Sequence, residues 1–373
     1  MNIAVDAFPL STTLSSGIPN YLNNILNNLL SMDKQNRYFL FCKNHFQFVE
    51  RINLRLRFGS QTGKRSLSYI NTLWLFSIGV RMMKRDKIDI FWGTRQMLPP
   101  FLPAHTRKVL TVYDMVWHYF PETMGNYNRL VSNLLAMRSI KSADHIITIS
   151  KATAGALTEI AGVPPKKISV VYPAADSYNP LDKSAAADYI AGKYGTYPKY
   201  ILTVSTVEPR KNLTTLLRAF AALKNEDIQL LIAGASGWKN SAVYAEYEKL
   251  GFLETQVKFL GYVPDEDMNN LYSGASLFVF PSKYEGFGIP PLEAMASGTP
   301  VIVSNSSSLL EVAGGAGILI EPMDETGWRE TILKVLSDFS LQKEMIKKGL
   351  EQANSFSWKE AGLRTLKIFD NFV

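Results

Sequence analysis

ASLFVFPSKYEGFGIPPLEAMASG, residues 275–298, contains a strand, a loop and a helix in quick succession. The apolar run ASLFVFPS is typical of a buried strand, and PLEAMASG is typical of a helix closed by a glycine. Glu285 and Glu293 bracket the loop, and Pro290 and Pro291 suit a first helical turn, where no backbone donor is lost. Such a turn presents backbone N–H groups and the positive end of a helix dipole, which favour a bound anion such as a phosphate.

The same alternation of strand and helix runs through both halves of the chain. In the first half we predict strands at 2–7, 38–42, 88–93, 108–114 and 145–150, and helices around 18–31, 66–85, 126–141 and 151–161. In the second half we predict strands at 200–205, 228–234, 257–263, 277–281 and 300–304, and helices near 212–224, 240–251, 265–273, 291–297 and 325–337. The pattern predicts an α/β protein with two doubly wound domains facing across a cleft. Their boundary is expected within 172–199, which lacks a sustained strand pattern.

Length and composition agree with two soluble domains. The chain has 373 residues, of which 46% are hydrophobic. The single cysteine, Cys42, excludes an internal disulfide, and the N-terminal residues do not resemble a secretory signal. The most apolar stretch, 72–80, is about half the ~20 residues that a membrane span needs. We therefore expect a cytoplasmic protein.

The net charge of +7 is unevenly distributed. Residues 1–190 carry 22 Lys and Arg against 12 Asp and Glu, whereas the remainder carries 18 against 21. A basic face beside the apolar segment 73–80 would suit an anionic membrane surface, although a solvated basic surface is an equal alternative. No nucleic-acid-binding pattern is present. The basic residues concerned are Arg51, Arg55, Arg57, Lys64, Arg65, Arg81, Lys84, Arg85 and Lys87.

A second charged motif, TVEPRKN at 206–212, follows the strand at 200–205 and brings Arg210 and Lys211 to a carboxyl strand end. Ligands of doubly wound sheets bind at such ends, so the two cations are candidates to clamp a diphosphate. Adjacent Arg and Lys are usually solvated surface when taken alone. The Glu285 loop at an equivalent position favours the functional interpretation.

Several other patterns carry little or no functional signal. GSQTGKRS at 59–66 lacks the spacing of a P-loop, and no G-x-G-x-x-G follows the first strand, which disfavours a nicotinamide-dependent oxidoreductase. A predicted helix begins with Asp265, Glu266 and Asp267. Acidic residues at this position interact favourably with the positive end of the helix dipole, and we prefer this role to metal binding. The four histidines show no metal-ligand spacing, so no metal site is predicted.

Taken in order, these motifs resemble the retaining glycosyltransferases of family 4, which have the GT-B architecture of two Rossmann-like domains. The resemblance covers nearly the whole chain and rests on EGFGIPPLEAMASGTPVI, TVEPRKN, FLGYVPDEDMNNLYSGA, SGIPNY, VYD and ITIS. It implies an acceptor-binding domain at 1–180 and a nucleotide-sugar-binding domain at 181–355. A helix within 356–373 is expected to pack back on the first domain.

The resemblance also implies roles for the charged residues. Glu293 corresponds to the carboxylate that accepts hydrogen bonds from the donor ribose, a role that needs an ionised group. Glu285 corresponds to the residue that meets the hydroxyls of the transferred sugar. Lys211 matches the lysine that binds the pyrophosphate, and Arg210 is its companion, although some members place their arginine nearer Ser205.

The remaining roles implied by the resemblance belong to backbone groups and to the base site. Gly17 corresponds to a glycine whose backbone faces the phosphates, and a simple N-terminal hinge would have the same sequence there. The stretch that lines the base includes Tyr262 and Val263. The loop N–H groups expected to bind donor oxygens belong to Phe287, Gly288 and Ile289.

One position departs from the family pattern. Many relatives have His-Asp where this chain has Tyr113 and Asp114, so the histidine that often touches the donor sugar is replaced. Tyr113 or His118 are alternative substitutes, and Asp114 remains a catalytic candidate.

The function implied is a retaining, metal-independent transferase that moves a hexose, with mannose as a candidate, from a GDP- or UDP-sugar. The acceptor would be a glycan or a lipid-linked glycan of a bacterial-type cell-surface polysaccharide or lipopolysaccharide, and no cofactor is expected. A non-catalytic protein that binds a nucleotide-sugar or a glycan on the same fold is the alternative.

Overall fold

The structure, a computed structural model, describes residues 1–11, 17–42, 54–58, 72–123, 126–223 and 227–372. The chain divides into two compact units. The first unit comprises residues 1–118, 125–173 and 358–373, and the second comprises 119–124 and 174–357. Apart from the short segment 119–124, the chain passes from the first unit to the second after residue 173, somewhat before the boundary at 180 that the resemblance implied.

The first unit contains a parallel sheet of seven strands among its described residues, in the order β3-β2-β1-β4-β5-β6-β7. The strands are β1 Asn2–Asp6, β2 Arg37–Cys42, β3 Leu54–Phe58, β4 Ile90–Gly93, β5 Arg107–Val112, β6 His145–Thr148 and β7 Ile168–Val170. The α-helices of this part of the chain are Gly17–Met32, Val80–Arg85, Val116–Tyr119, Asn126–Ser142, Lys151–Ala161 and Trp358–Asp370, and Leu75–Gly79 is a π-helical segment. Short 3₁₀ turns lie at Phe8–Ser11, Pro121–Thr123 and Pro165–Lys167.

The second unit contains a parallel sheet of six described strands in the order β10-β9-β8-β11-β12-β13. The strands are β8 Tyr200–Val204, β9 Gln229–Ala233, β10 Val257–Gly261, β11 Leu277–Phe280, β12 Val301–Ser304 and β13 Ile318–Ile320. The helices are Lys183–Tyr194, Leu213–Ala221, Ser241–Lys249, Asp265–Gly274, Ile289–Ala296, Leu309–Ala313, Glu325–Ser337 and Phe339–Asn354. A 3₁₀ turn, Pro209–Lys211, follows β8.

The central strands are apolar along their whole length because helices cover both faces of a parallel sheet. Every residue of β9 and of β11 is buried, which explains the sequences QLLIA and LFVF. In the second unit these strands pack against helices through Leu216, Trp328 and Ile332, all fully buried. The two doubly wound sheets agree with the predicted α/β fold class.

Each sheet has one point at which the strand order reverses direction. In the first sheet it lies between β1 and β4, and in the second it lies between β8 and β11. Loops that leave the carboxyl ends of two such neighbours run in opposite directions and leave a crevice, where ligands of open α/β sheets bind. The motifs at 206–212 and 285–293 both belong to the reversal point of the second sheet.

The last helix, Trp358–Asp370, belongs to the first unit and packs on helix Gly17–Met32. The two helices approach closely at Gly362, where an added Cβ would lie 2.9 Å from the Met32 side chain and 3.2 Å from the Leu29 backbone nitrogen. Phe369 of the last helix is fully buried, with its ring centroid 5.6 Å from that of Trp92 in β4.

Three features differ from the sequence predictions. The segment 172–199, in which the domain boundary was expected and no helix was predicted, contains helix Lys183–Tyr194, which Asp182 caps and which ends at Gly195 in the left-handed conformation. The strands β3, β7 and β13 and helix Phe339–Asn354 were not predicted. The predicted helix 66–85 is described only from residue 72, and it includes the π-helical segment.

Within the described ranges, no helix has both the length and the apolar character that crossing a bilayer requires.

Candidate active site

The turn after β8 is fixed to the loop after β11 by Asn212. This residue adopts the left-handed conformation with φ of 58°, which asparagine tolerates better than most side chains. Its buried side-chain amide donates to the carbonyl oxygens of Pro281 at 3.1 Å and Pro322 at 2.6 Å. Arg210 and Lys211, which immediately precede it, are thereby held against the neighbouring loop.

The predicted charged residues of the two loops form one ion cluster. Lys211 Nζ lies 2.7 Å from Glu285 Oε1, and Arg210 Nη1 lies 3.0 Å from Glu285 Oε2. Arg210 also pairs with Glu208 and donates to the Tyr284 carbonyl oxygen at 2.6 Å. The two positive and two negative charges balance, so each of the two cations is paired with a carboxylate.

Three serines, Ser282, Ser307 and Ser308, form hydrogen bonds with the side chain or backbone of Glu285. Ser282 Oγ donates to Glu285 Oε1, and the Glu285 N–H donates to Ser307 Oγ at 2.9 Å. Ser308 Oγ donates to the Glu285 and Phe287 carbonyl oxygens at 2.9 and 2.7 Å. Burial alone would raise the pKa of Glu285, but the charges of Lys211 and Arg210 outweigh it and lower the pKa to about 2. Glu285 is therefore ionised at neutral pH.

The loop enters helix Ile289–Ala296 through Gly288. Its φ of 113° is a conformation that L side chains rarely adopt, and an added Cβ would lie 2.6 Å from Leu309 Cδ2. Pro290 and Pro291 follow within the first turn. Since proline has no N–H, Ile289 is the one residue of the first three helical positions that can donate from its backbone.

Glu293 lies on the same helix but in a different environment. Its carboxylate is almost completely buried and accepts from the Tyr272 hydroxyl at 2.8 Å. Burial raises the pKa of Glu293 to about 7, while hydrogen bonds from Tyr272 and Tyr178 act to lower it and the charge of Asp265 acts to raise it further. A carboxyl with this pKa has both protonation states populated near neutral pH, so the ionised form that the ribose-binding role needs is one part of the population there.

Glycosyltransferase family models match both halves of the chain. The model of Glycosyltransferase Family 4 matches residues 16–177, and the model of Glycosyl transferases group 1 matches residues 192–352. The O-antigen chain mannosyltransferase B of Escherichia coli is 36% identical over 290 residues, covering 76% of this chain and 75% of that relative. The chain belongs to the family 4 glycosyltransferases. It is a glycosyltransferase by the same evidence.

Solved structures support the GT-B fold of this glycosyltransferase. Sucrose-phosphate synthase from Thermosynechococcus elongatus superposes with a TM-score of 0.79 at 19% identity, over 99% of this chain and 98% of that one. Anabaena HepE in complex with UDP-glucose superposes with a TM-score of 0.77 at 17% identity, over 99% of each chain. The predicted fold class is confirmed.

The other predicted donor-binding residues of the second unit lie after β10, at the edge of the sheet. Tyr262 is half exposed, whereas the Val263 side chain is buried, so Val263 can face a ligand only through its backbone. Phe287 is also buried, and its ring centroid lies 5.6 Å from that of Phe356. Its ring is a packing group, and a binding role for Phe287 would fall to its backbone.

Two predicted site residues of the glycosyltransferase belong to the first unit. Gly17 opens helix Gly17–Met32 and is exposed, with no described atom within 4 Å of an added Cβ, so nothing in the described protein itself requires a glycine there. Asp114 follows β5, and its Oδ1 accepts from the Val116 N–H at 3.1 Å. Two residues were candidates to replace the family's sugar-contacting histidine. His118 is exposed, whereas Tyr113 is buried and its ring makes an edge-to-face contact with Tyr21.

Sequence reasoning missed the groups that hold the ion cluster. Ser307 and Ser308 lie in the run SNSSSLL, which follows β12 at the same sheet edge, so the rule that favours carboxyl strand ends could have found them. Tyr178 and Tyr272 carried no sequence signal, because hydrogen bonding to Glu293 depends on long-range packing. Ser205, at the end of β8, has a buried hydroxyl with no partner among the described residues.

Neighbouring motifs have structural explanations or lie outside the described residues. Asp267 is buried in the first turn of helix Asp265–Gly274 and accepts from Tyr189, Lys193 and Tyr194 of the helix before β8. No group of three or more metal-ligating side chains occurs in the part of the chain that the structure describes. The P-loop-like segment 59–66 lies outside that part.

Proposed function

We propose that this glycosyltransferase moves a hexose, with mannose favoured, from a nucleoside diphosphate sugar to a glycan or lipid-linked acceptor in the synthesis of a cell-surface polysaccharide. The name of the Escherichia coli relative supports mannose and an O-antigen chain. The complex of HepE with UDP-glucose supports a nucleotide-sugar donor. GDP and UDP remain the two candidate nucleotides, and the proposal includes retention of anomeric configuration and independence from metal ions.

The observation that carries the proposal is the ion cluster of Arg210, Lys211 and Glu285 at the strand-order reversal of the second sheet. Donor chemistry needs cations and N–H dipoles near the departing diphosphate, and a carboxylate near the sugar hydroxyls. Both kinds of group meet here. In this proposal, the donor's phosphates replace Glu285 as the ion-pair partner of Arg210 and Lys211. The Glu285 carboxylate then turns to the sugar hydroxyls.

The reaction itself follows from charge. The bond between the anomeric carbon and the diphosphate oxygen breaks, and negative charge develops on the diphosphate. Lys211, Arg210 and the Ile289 N–H stabilise that charge. The acceptor oxygen bonds to the anomeric carbon on the face that the diphosphate leaves, and its proton passes to a diphosphate oxygen. This arrangement retains the anomeric configuration and requires no covalent nucleophile from the protein.

The proposal divides the roles between the two units. The second unit would bind the donor through Glu285, Glu293, Tyr262, Val263 and its loop N–H groups. Gly17 and Asp114 of the first unit would contribute a phosphate-facing backbone group and a catalytic carboxylate, as the family resemblance implies.

Transfer assays on Lys211→Ala and Glu285→Ala test the proposal. Removing one preorganised donor to the leaving group typically costs about 3 kcal/mol of barrier, so Lys211→Ala should lower kcat by roughly 10²-fold or more. The assay would offer GDP-mannose and UDP-glucose with oligosaccharide acceptors, with and without EDTA. Product formation that survives EDTA supports the metal-independent part of the proposal.

Lys193→Ala is the matched control. Lys193 pairs with Asp267 at 2.7 Å in the same unit, but outside the loops at the strand-order reversal. Its removal should leave transfer unchanged. Full activity of both Lys211→Ala and Glu285→Ala would refute the assigned roles, and tight nucleotide-sugar binding without turnover on any acceptor would favour the non-catalytic alternative. Thermal shifts with UDP, GDP and ADP identify the base, because a bound ligand raises the melting temperature.

We also propose that the first unit binds an anionic membrane surface through residues 73–85. Leu73 and Ile78 are 62% and 48% exposed, and Arg81, Lys84 and Arg85 are exposed on the same helical segment. Exposed apolar groups beside cations suit the boundary between headgroups and acyl chains. Arg57 does not contribute, since it pairs with Asp86 at 2.8 Å, and Arg51, Lys64 and Arg65 lie outside the described residues.

Co-sedimentation with phosphatidylglycerol vesicles tests this surface. Binding should weaken as salt is raised, because each cation near the surface contributes on the order of 1 kcal/mol through a screened interaction. The double variant Arg81→Gln, Lys84→Gln should weaken it as well, whereas Lys347→Gln on the second unit should not. Binding that is insensitive both to salt and to these variants would contradict the proposal.

A further inference from the structure

A short piece of the first half of the chain packs within the second unit. That unit includes residues 119–124, although the residues on either side of them in sequence belong to the first unit. Their described part, residues 119–123 (the inserted segment), comprises the last residue of helix Val116–Tyr119, then Phe120, and then the 3₁₀ turn Pro121–Thr123. Such a short excursion into another unit requires specific contacts there.

Two aromatic side chains of the inserted segment pack on Tyr284. The ring centroids of Tyr119 and Phe120 lie 5.2 and 5.8 Å from the centroid of Tyr284. Tyr284 is 9% exposed, so these contacts lie at a nearly buried ring. Further along the segment, Lys239 Nζ donates to the Glu122 carbonyl oxygen at 2.5 Å. The inserted segment is therefore attached to the second unit at two points.

Tyr284 is directly connected to the ion cluster. Its carbonyl oxygen accepts from Arg210 Nη1 at 2.6 Å, and the next residue in the chain is Glu285. In the opposite direction, the Lys283 N–H donates to the Arg210 carbonyl oxygen at 2.9 Å. A displacement of Tyr284 would therefore move Glu285 and remove one acceptor of the Arg210 guanidinium.

The contact with Tyr119 contributes more to the arrangement of the loop than to the hydrophobic core. Tyr119 is 43% exposed, so a large part of its side chain stays in water. Charged groups stabilise a developing charge effectively only when the protein holds them in place beforehand. A displacement of about 1 Å at a reacting centre can cost about 10²-fold in rate. The rings that fix Tyr284 therefore affect the chemistry of the ion cluster.

We propose that Tyr119 and Phe120 are positioning residues for the transfer reaction, which act through the Tyr284 ring on the orientation of Arg210 and Glu285. The inference rests on the proposed function, in which the ion cluster stabilises the departing diphosphate and binds the sugar. Neither aromatic residue needs to contact the donor or the acceptor in this role. The inserted segment holds the loop that carries the ligand groups.

Steady-state transfer kinetics of ring variants of the full chain test the inference. Tyr119→Ala and Phe120→Leu should each lower kcat by roughly tenfold or more, because Arg210 and Glu285 lose their fixed orientation. GDP or UDP should also bind several-fold more weakly, whereas the KM for the acceptor should not change. Tyr119→Phe keeps the ring and should recover the rate that is lost in Tyr119→Ala.

A double-mutant cycle measures whether Tyr119 acts through Tyr284. Tyr284→Leu already lacks the aromatic contact, so adding Tyr119→Ala to it should lower kcat no further. Additive losses would mean that Tyr119 acts by another route and would overturn the inference. A wild-type kcat in Tyr119→Ala, or a loss in Tyr119→Phe as large as that in Tyr119→Ala, would overturn it as well.

Tyr197→Ala is the matched control. Tyr197 is 40% exposed, close to the value for Tyr119, and it precedes β8, at the opposite edge of the sheet from the ion cluster. Its truncation should leave kcat and nucleotide affinity unchanged. An equal fall of kcat in Tyr197→Ala and Tyr119→Ala would show general loosening of the second unit and would contradict a specific positioning role.

The positioning role and the proposed function can fail separately. Loss of activity in Lys211→Ala together with wild-type kinetics in Tyr119→Ala contradicts the positioning role alone. If no acceptor supports transfer, the affinities for GDP and UDP decide, and equal affinities of wild type and Tyr119→Ala overturn the inference. A wild type that binds neither nucleotide overturns both the proposed function and the positioning role.

Discussion

Glu285 and Glu293 are the same residue type on one loop and its following helix, yet their surroundings shift their pKa values in opposite directions. Both are buried, which favours the neutral acid. Glu285 faces two cations and is held ionised, whereas Glu293 faces two tyrosine hydroxyls and the charge of Asp265. Neutral donors offset burial much less than cations do, so the second carboxyl titrates near neutrality.

The pH dependence of stability should reveal Glu293. Between its ordinary pKa of 4.5 and about 7, the folded protein holds a proton that the unfolded chain has released. The stability contributed by this group is therefore fully present below pH 4.5 and falls by up to about 3 kcal/mol as pH rises towards 7. Denaturant unfolding of wild type and Glu293→Gln across this range measures the difference.

A second variant controls for other titrating groups. Tyr272→Phe removes a hydrogen bond that lowers the pKa of Glu293, so the pH-dependent step should move to higher pH. If the stability difference between wild type and Glu293→Gln does not change with pH, the raised pKa is wrong. If ionised Glu293 holds the donor ribose, nucleotide affinity should increase as pH rises through about 7.

For Arg210 and Lys211, the sequence predicted the position of the residues but not their ion-pair partner. Their position after a strand predicted that they would lie at the carboxyl edge of the sheet, and the structure places them at that edge. Their pairing with Glu285, 74 residues away in sequence for Lys211, depends on side-chain directions set by Asn212 and the loop after β11. A local pattern does not contain that information.

At the scale of a single element, Gly288 controls the start of helix Ile289–Ala296. Gly288→Ala combines a disfavoured φ with a contact on Leu309, so we expect a loss of roughly 1–3 kcal/mol of stability and weaker nucleotide binding. Thermal unfolding with and without a nucleoside diphosphate measures both. Gly192→Ala, in helix Lys183–Tyr194 with no atom within 4 Å of the added Cβ, should be neutral or stabilising.

Gly362 provides a second test, at the contact between two helices. Gly362→Ala places a methyl group against Asn28 at 3.1 Å and Leu29 at 3.2 Å, so the contact between the two helices must open by a few tenths of an ångström, at an expected cost of about 1–3 kcal/mol. Gly155→Ala, also within a helix but with open space around it, should stabilise by up to about 1 kcal/mol. Equal effects of the two substitutions on the free energy of unfolding would exclude close packing as the cause.

Several strands and helices were not predicted because the hydrophobic pattern in their sequences is weak. The strands β7 and β13 are three residues each and only partly buried, so they lack the apolar run that identifies a central strand. Helix Lys183–Tyr194 buries two alanines and one isoleucine, which leaves no apolar stripe. Helix Phe339–Asn354 buries three residues, two of them small.

At the scale of the whole molecule, the repeated strand-helix pattern was sufficient to predict two doubly wound sheets, since crossover helices force neighbouring strands to be parallel. The reversal point of the second sheet carries the ion cluster. Its charged residues are conspicuous in a sequence, whereas the tyrosine hydroxyls that face Glu293 can be recognised only in a folded structure.

Membership of the last helix in the first unit can be tested by unfolding. Phe369→Ala should destabilise the protein by about 3–5 kcal/mol, because the ring is fully buried against Trp92. Leu363→Ala, on the exposed side of the same helix, should change stability by less than about 1 kcal/mol. Nucleotide-induced thermal shifts should persist in Phe369→Ala, since most of the proposed donor-binding groups belong to the other unit. Equal destabilisation by both substitutions would contradict the packing.

The division of the first unit into three chain segments has a consequence for biosynthesis. Helix Trp358–Asp370 leaves the ribosome only after the entire second unit has been translated. Until then, the nascent first unit lacks the surface that covers Tyr21, Leu29 and Trp92. The usual order, in which the N-terminal domain matures first, should be inverted here. The second unit can reach its native state during translation, while the first exposes an apolar stripe to chaperones until its last helix has been synthesised.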